Sequence, residues 1–163
     1  EGGLSMDNIG NKEGIREIIE KYRADVTEMT RYLGWLESKR SESLSSSYDP
    51  ADGRGETITF PVYDGTLMNF VRSAEKTGLI DRNYVYTYKK YRILTVADEL
   101  RFIENAQITD MKTLADILSS YIVRGRTKGV VWPEGVNNGV YYAVISKMKE
   151  LIEFWTMPFG QGK

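Results

Sequence analysis

Apolar residues in the first part of the chain recur at steps of four and three: Ile15, Ile19, Tyr22, Val26, Met29, Leu33 and Leu36. Side chains at that spacing share one side of a helix, so one long helix is predicted from Gly14 to about Lys39. The stripe is a heptad seam, and Trp35 lies beside it. Such a seam serves either as the inner face of a helix packed on its own domain or as a homodimer seam through the 14–39 helix.

The pattern then stops. Residues 41–56 are rich in Ser, Gly, Asp and Pro and read as a flexible loop. Thr57-Ile-Thr-Phe-Pro-Val62 alternates in the manner of a strand, but Pro61 removes a ladder donor, which confines it to an edge or an extended segment. Asp64 is placed to cap a helix carrying Leu67, Phe70, Val71 and Ala74, with Leu79 folding back after Gly78. Tyr84 to Tyr91 fits either period, and its spacing with Asp81 favours a helix. Thr95-Val-Ala-Asp98 matches a capping box ahead of Val96, Leu100 and Ile103.

From Asp110 to Trp155 two apolar-faced helices are predicted. The first carries Met111, Leu114, Ala115, Leu118, Tyr121 and Ile122; the second carries Tyr141, Val144, Ile145, Met148, Leu151, Ile152 and Trp155. Thr109 or Asp110 is placed to cap the first, Gly125 to end it in the left-handed conformation, and Arg124 to sit at the negative end of its dipole. Pro133 is placed to open a short extra turn. The fold class is therefore mostly α: a single-domain bundle of about five or six helices with one short extended segment, spanning 6–160. Residues 1–5 precede the first methionine and are expected to be a remnant of expression.

The join between those two helices concentrates the candidate chemistry. Arg124, Arg126 and Lys128 alternate with Gly125, Thr127 and Gly129, and Trp132, Asn137 and Asn138 follow. Glycines let a backbone approach an anion, and arginine offers a planar fork of donors. The competing reading is a solvated turn whose glycines serve only backbone geometry. No phosphate-loop spacing is present. A second mixed cluster, Tyr84, Tyr86, Tyr88, Lys89, Lys90, Tyr91 and Arg92, suits stacking on bases or sugars, or else a helix with half-buried tyrosines and solvated lysines.

The run Leu114-Ala-Asp-Ile-Leu-Ser-Ser-Tyr-Ile-Val-Arg-Gly-Arg-Thr-Lys-Gly129, with Asn138-Gly-Val-Tyr-Tyr-Ala-Val-Ile-Ser-Lys-Met-Lys-Glu-Leu151, resembles the C-terminal half of a family of small uncharacterised bacterial proteins that carry a domain of unknown function. Their pattern is an apolar helix ending in arginine and glycine, a charged turn, and a final helix. After Gly125 that pattern has an acidic, a basic and an aromatic residue, where this chain has Arg126, Thr127 and Lys128. The resemblance implies a bacterial origin and no particular activity.

Composition narrows the chemistry. The 163 residues include neither cysteine nor histidine. Disulfides, thiol nucleophiles, imidazole bases and His- or Cys-ligated metals are thereby excluded, and a cytoplasmic location is expected. A net charge of −1 gives no global pull toward nucleic acid, which leaves only a local patch to bind it. No apolar run reaches a membrane span. Glu17 with Glu20 and Glu150 with Glu153 each put two carboxylates on one helix face, a pattern that can hold Mg²⁺ if a second pair faces it. The expectation is a non-enzymatic binding or regulatory module without cofactor, contacting an unknown anionic ligand or partner through Arg124, Arg126 and Lys128. The alternatives are a Mg²⁺-dependent all-α hydrolase of a nucleotide or phosphate ester and a self-associating structural protein.

Overall fold

A computed structural model describes residues 2–41 and 65–157, with side chains from Lys12 onward in the first span and to Lys39. Among the described residues there are eight α-helices and no strand: α1 (Gly2–Thr30), α2 (Leu33–Ser41), α3 (Gly65–Lys76), α4 (Tyr84–Lys90), α5 (Val96–Asn105), α6 (Met111–Arg124), α7 (Val131–Asn137) and α8 (Val140–Thr156). A 3-10 turn, Ile108–Asp110, leads into α6. The mostly helical bundle agrees with the sequence pattern, but the helix number exceeds the expected five or six. The expected edge strand at 57–62 and the loop at 41–56 fall almost wholly outside the described residues.

The extra helices have local causes. The long N-terminal helix is interrupted at Arg31 and Tyr32, where the Tyr32 amide donates to Met29 O at 3.1 Å and the Leu36 amide to Tyr32 O at 2.9 Å. The break seats the buried Tyr32 ring edge-on against Phe70 of α3, and its hydroxyl lies 2.7 Å from Ser73 Oγ. Pro133 falls in the first turn of α7, where its missing N–H leaves no bond unmade.

α6 is the centre. Every residue from Thr113 to Ile122 is buried, because α3, α4, α7 and α8 all pack against it. α8 in turn packs on α1, α2, α5 and α7. The heptad seam of α1 is spent inside the chain: Ile19, Tyr22, Val26 and Met29 join the same core as Leu114, Leu118, Val144 and Met148. Each such side chain contributes about 1.5–3 kcal/mol by leaving water. A homodimer through this helix would have to use its other faces.

Gly125 departs from expectation. Its φ is −68°, right-handed, so it does not end α6 in the left-handed region. Its requirement is space: a Cβ there would stand 2.1 Å from Trp132 Cδ1. Asp110 also departs, since its carboxylate accepts the Gln107 amide at 2.8 Å and caps the 3-10 turn, making no side-chain cap bond to α6. The Thr95 capping box forms as expected, with the Asp98 amide donating to Thr95 Oγ1 at 3.1 Å.

Candidate functional site

The helices flanking the basic turn do clasp each other, since α6 packs on both α7 and α8. The turn's side chains, however, are largely engaged within the protein. Arg124 folds back on its own helix: Nε donates to Ser120 O and Ser120 Oγ, each at 3.0 Å, and the guanidinium lies 4.9 Å from the Tyr121 ring centroid. Arg126 Nε pairs with Glu75 of α3 at 3.1 Å. Lys128 and Asn137 are exposed. Trp132 lays its indole over Gly125 and donates from Nε1 to Ile122 O at 3.0 Å. Asn138 donates from Nδ2 to the Tyr121 hydroxyl at 2.9 Å, while its Oδ1 accepts the Val140 amide at 2.9 Å. The six residues therefore do not converge on one cleft. Trp132 and Asn138 brace the α6–α7–α8 junction, Arg124 is held on α6, and Arg126, Lys128 and Asn137 remain at the surface.

A buried polar seam between α4, α5 and α6 is the feature that sequence reasoning missed. Glu99 is 5 % exposed and accepts two hydroxyls, Tyr88 Oη and Tyr121 Oη, each at 2.6 Å. Asp116 is fully buried and accepts from Thr87 Oγ1 and from Lys112 Nζ. Lys112 also reaches Asp81 at 2.9 Å. Ser119 Oγ accepts the Asp81 amide at 2.9 Å and donates toward carbonyls of Ala115 and Leu79. A buried carboxylate survives only when such donors replace water. One signal was available: Asp116 interrupts the otherwise apolar run from Leu114 to Leu118, and an acid on the inner face of a helix demands partners.

This seam has a pH signature. Burial first, then the nearby Glu99 charge and hydrogen bond, push the Tyr88 hydroxyl well above its usual range; for Tyr121 burial leads, followed by its hydrogen bond to Glu99. An acid whose folded pKa is raised favours folding while it stays protonated. That stability is present below the unfolded tyrosine pKa, about 10, and drains away as pH rises beyond it. In an alkaline titration, tyrosinate absorbance from these residues is expected to appear only together with loss of helical circular dichroism. Early ionisation in a still-folded protein would contradict the seam. Asp81 behaves oppositely: the Asn83 amide and then Lys112 hold its carboxyl below the usual range, so its contribution is lost as pH falls through that lower value.

The seam explains an otherwise odd helix. None of α4's seven residues is buried, yet the helix is clamped by Thr87 to Asp116 and by Tyr88 to Glu99. Its polar and half-buried side faces the core, and its outer side is apolar and basic. Val85 and Tyr86 are exposed, Tyr86 by 70 %, alongside Lys89 and Lys90. The chain then turns through Arg92, whose φ of 55° is the one left-handed conformation of a non-glycine residue among those described. The Arg92 amide donates to Lys89 O at 3.2 Å and the Ile93 amide to Tyr88 O at 2.9 Å, the double bond of a Schellman ending. Glycine normally takes that position; an arginine there costs about 1–2 kcal/mol. Leu94 follows, 85 % exposed.

Beside this turn lies a groove of about 270 Å³ between the α4–α5 connection and α5, lined in part by Tyr91, Arg92, Ile93, Arg101, Phe102 and Asn105. A second, of about 440 Å³, lies between α2 and α8 and includes Leu33, Tyr142, Phe154 and Met157. Neither is lined by residues 124–139. The paired glutamates do not form a metal site: Glu17 and Glu20 are exposed, Glu153 pairs with Lys149 at 2.9 Å, Glu150 lies 3.9 Å from Lys147, and no cluster of three or more metal-ligating side chains exists among the described residues. No described helix is long and apolar enough to cross a membrane. The chain matches no family model, no curated protein and no solved structure.

Proposed function

We propose that this protein is a non-enzymatic binding or regulatory module for an anionic partner, and that the face presented by α4 and the α4–α5 turn makes the principal contact. The observation that supports this most is the outer side of α4. A helix held to its domain by polar clamps, with Val85, Tyr86, Lys89 and Lys90 turned to solvent and Arg92 and Leu94 beyond them, exposes apolar surface where burial would have been more stable. Lys89, Lys90 and Arg92 fall within four residues on this face, and the nearby acids are Asp81, Asp98, Glu99 and Glu104. Asp98 pairs with Arg101 and Asp81 with Lys112, and Glu99 is buried against two tyrosines, which leaves Lys89, Lys90 and Arg92 without an ion pair among the described residues. The local field is therefore positive although the chain as a whole is not. Arg126 and Lys128 of the basic turn are a separate exposed pair of cations, and an exposed ion pair such as Arg126 with Glu75 is worth little.

Fluorescence anisotropy with a labelled poly-glutamate peptide and a labelled oligo-dT strand tests the proposal. Binding of at least one polyanion is expected, weakening as salt rises. The combined Lys89→Glu, Lys90→Glu and Arg92→Glu variant is expected to lose about tenfold or more in affinity, and the combined Arg126→Ala and Lys128→Ala variant only a few-fold. Binding of neither polyanion, or full retention by the charge-reversed variant, would overturn it.

A further inference from the structure

We infer that the partner is an acidic polypeptide segment that seats an apolar side chain in the groove beside the α4–α5 turn. This rests on the reading of that face as the binding surface and adds the partner's class.

The groove has an apolar floor and a charged rim, with Arg92 and Arg101 beside Asp98 and Asp110. Ile93 and Ala106 are buried beneath it. One wall is a ring pair, Tyr91 edge-to-face with Phe102 at 5.1 Å. Leu94, almost fully solvated, and the exposed Val96 continue the apolar surface. Arg92 and Arg101 stand on the lining, and Lys89 and Lys90 precede them on α4. On the lining Arg101 is matched by Asp98 at 3.0 Å and Asp110 accepts the Gln107 amide, so the cations of this face without an ion pair among the described residues are Arg92, Lys89 and Lys90. Charge complementarity therefore selects an acidic partner.

The apolar features select a polypeptide over a nucleic acid. Single-strand binding uses open ring faces on which bases stack. Tyr91 is already in contact with Phe102 and with the Lys90 ammonium, 5.3 Å from its centroid, and the exposed Tyr86 is a single open ring where successive bases need several. Leu94, Val96 and Val85 offer aliphatic surface, which a side chain covers well and a phosphodiester does not. The groove, at about 270 Å³, is large enough to take one anchoring side chain. Hot-spot binding of that kind places a single apolar residue at the centre and charges around it.

Three probes on the full chain decide it by anisotropy: a glutamate-rich peptide with one central leucine, the same peptide with serine in its place, and oligo-dT. The leucine peptide is expected to bind about tenfold tighter than the serine peptide, and Leu94→Ser and Tyr91→Ala, both exposed positions, are expected to erase that advantage. Equal binding of the two peptides, still abolished by charge reversal on α4, overturns this inference and leaves the anionic-partner reading standing. Tighter binding of oligo-dT overturns it in favour of a nucleic acid. Self-association of the wild type that Leu94→Ser removes overturns it in favour of a second copy of this chain. Failure of every probe overturns both readings.

Discussion

Replacing Glu99 with alanine is expected to destabilise the fold by about 2–4 kcal/mol, because it takes the acceptor from the hydroxyl protons of Tyr88 and Tyr121, each 2.6 Å from its carboxylate. For a chain of this length that corresponds to a fall in Tm of roughly 2–4 °C per kcal/mol. The penalty belongs to the tyrosines left behind rather than to the glutamate itself, since a buried carboxylate is costly to desolvate. In a variant that already carries Tyr88→Phe and Tyr121→Phe, the further loss of Glu99 should therefore be much smaller, and the difference between the two backgrounds measures the coupling. The effect reaches the surface as well. Tyr88 is one of the two clamps on α4, so Glu99→Ala should weaken polyanion binding through α4 without touching any exposed cation. Urea unfolding of Glu99→Ala within about 0.5 kcal/mol of the wild type would show that the seam is not a structural element.

What could be read in advance follows from the range of each interaction. The seam of α1 and the apolar faces of α6 and α8 are set by local periodicity, and the buried Ile19, Val26, Leu114, Leu118, Val144 and Met148 were all visible in it. The Thr95 capping box was equally local. The interruption at Arg31 and Tyr32 was not, because its cause, the Tyr32 contact with Phe70 and Ser73 of α3, joins residues about forty positions apart. The same limit governs the candidate site. Arg124, Arg126 and Lys128 looked like one cluster because they alternate in sequence. In space each answers to a different neighbour: Ser120 holds the first, Glu75 the second, and solvent the third. Conversely, the rings and cations of Tyr84 to Arg92 divide between the two uses foreseen for them. Tyr88 turns inward to Glu99, and Tyr86, Lys89, Lys90 and Arg92 remain outside.

Gly135→Ala is expected to lower stability by about 2–3 kcal/mol, although propensity alone argues for the opposite sign. Alanine is about 1 kcal/mol better than glycine inside a helix, and Gly135 lies within α7 with no positive φ to protect. Its added methyl, however, would stand 2.4 Å from Tyr141 Cζ and 2.5 Å from Cε1. The Tyr141 ring cannot yield, being fully buried with Phe70 at 4.6 Å and Tyr121 at 5.6 Å. Overpacking of that kind outweighs the propensity gain. Gly125→Ala meets Trp132 at 2.1 Å, but that ring is only partly buried and can shift, so a smaller loss is expected, relieved further in combination with Trp132→Leu. Gly139→Ala serves as the contrast: with φ at 82° its cost is backbone strain of about 1 kcal/mol, which no change at a ring can rescue. The three glycines look alike in the sequence, and each is required for a different reason. Gly135→Ala unfolding at or above the wild-type denaturant midpoint would mean that the Tyr141 ring does not sit on α7, and with it would go the packing that fixes α7 and α8 around the central helix.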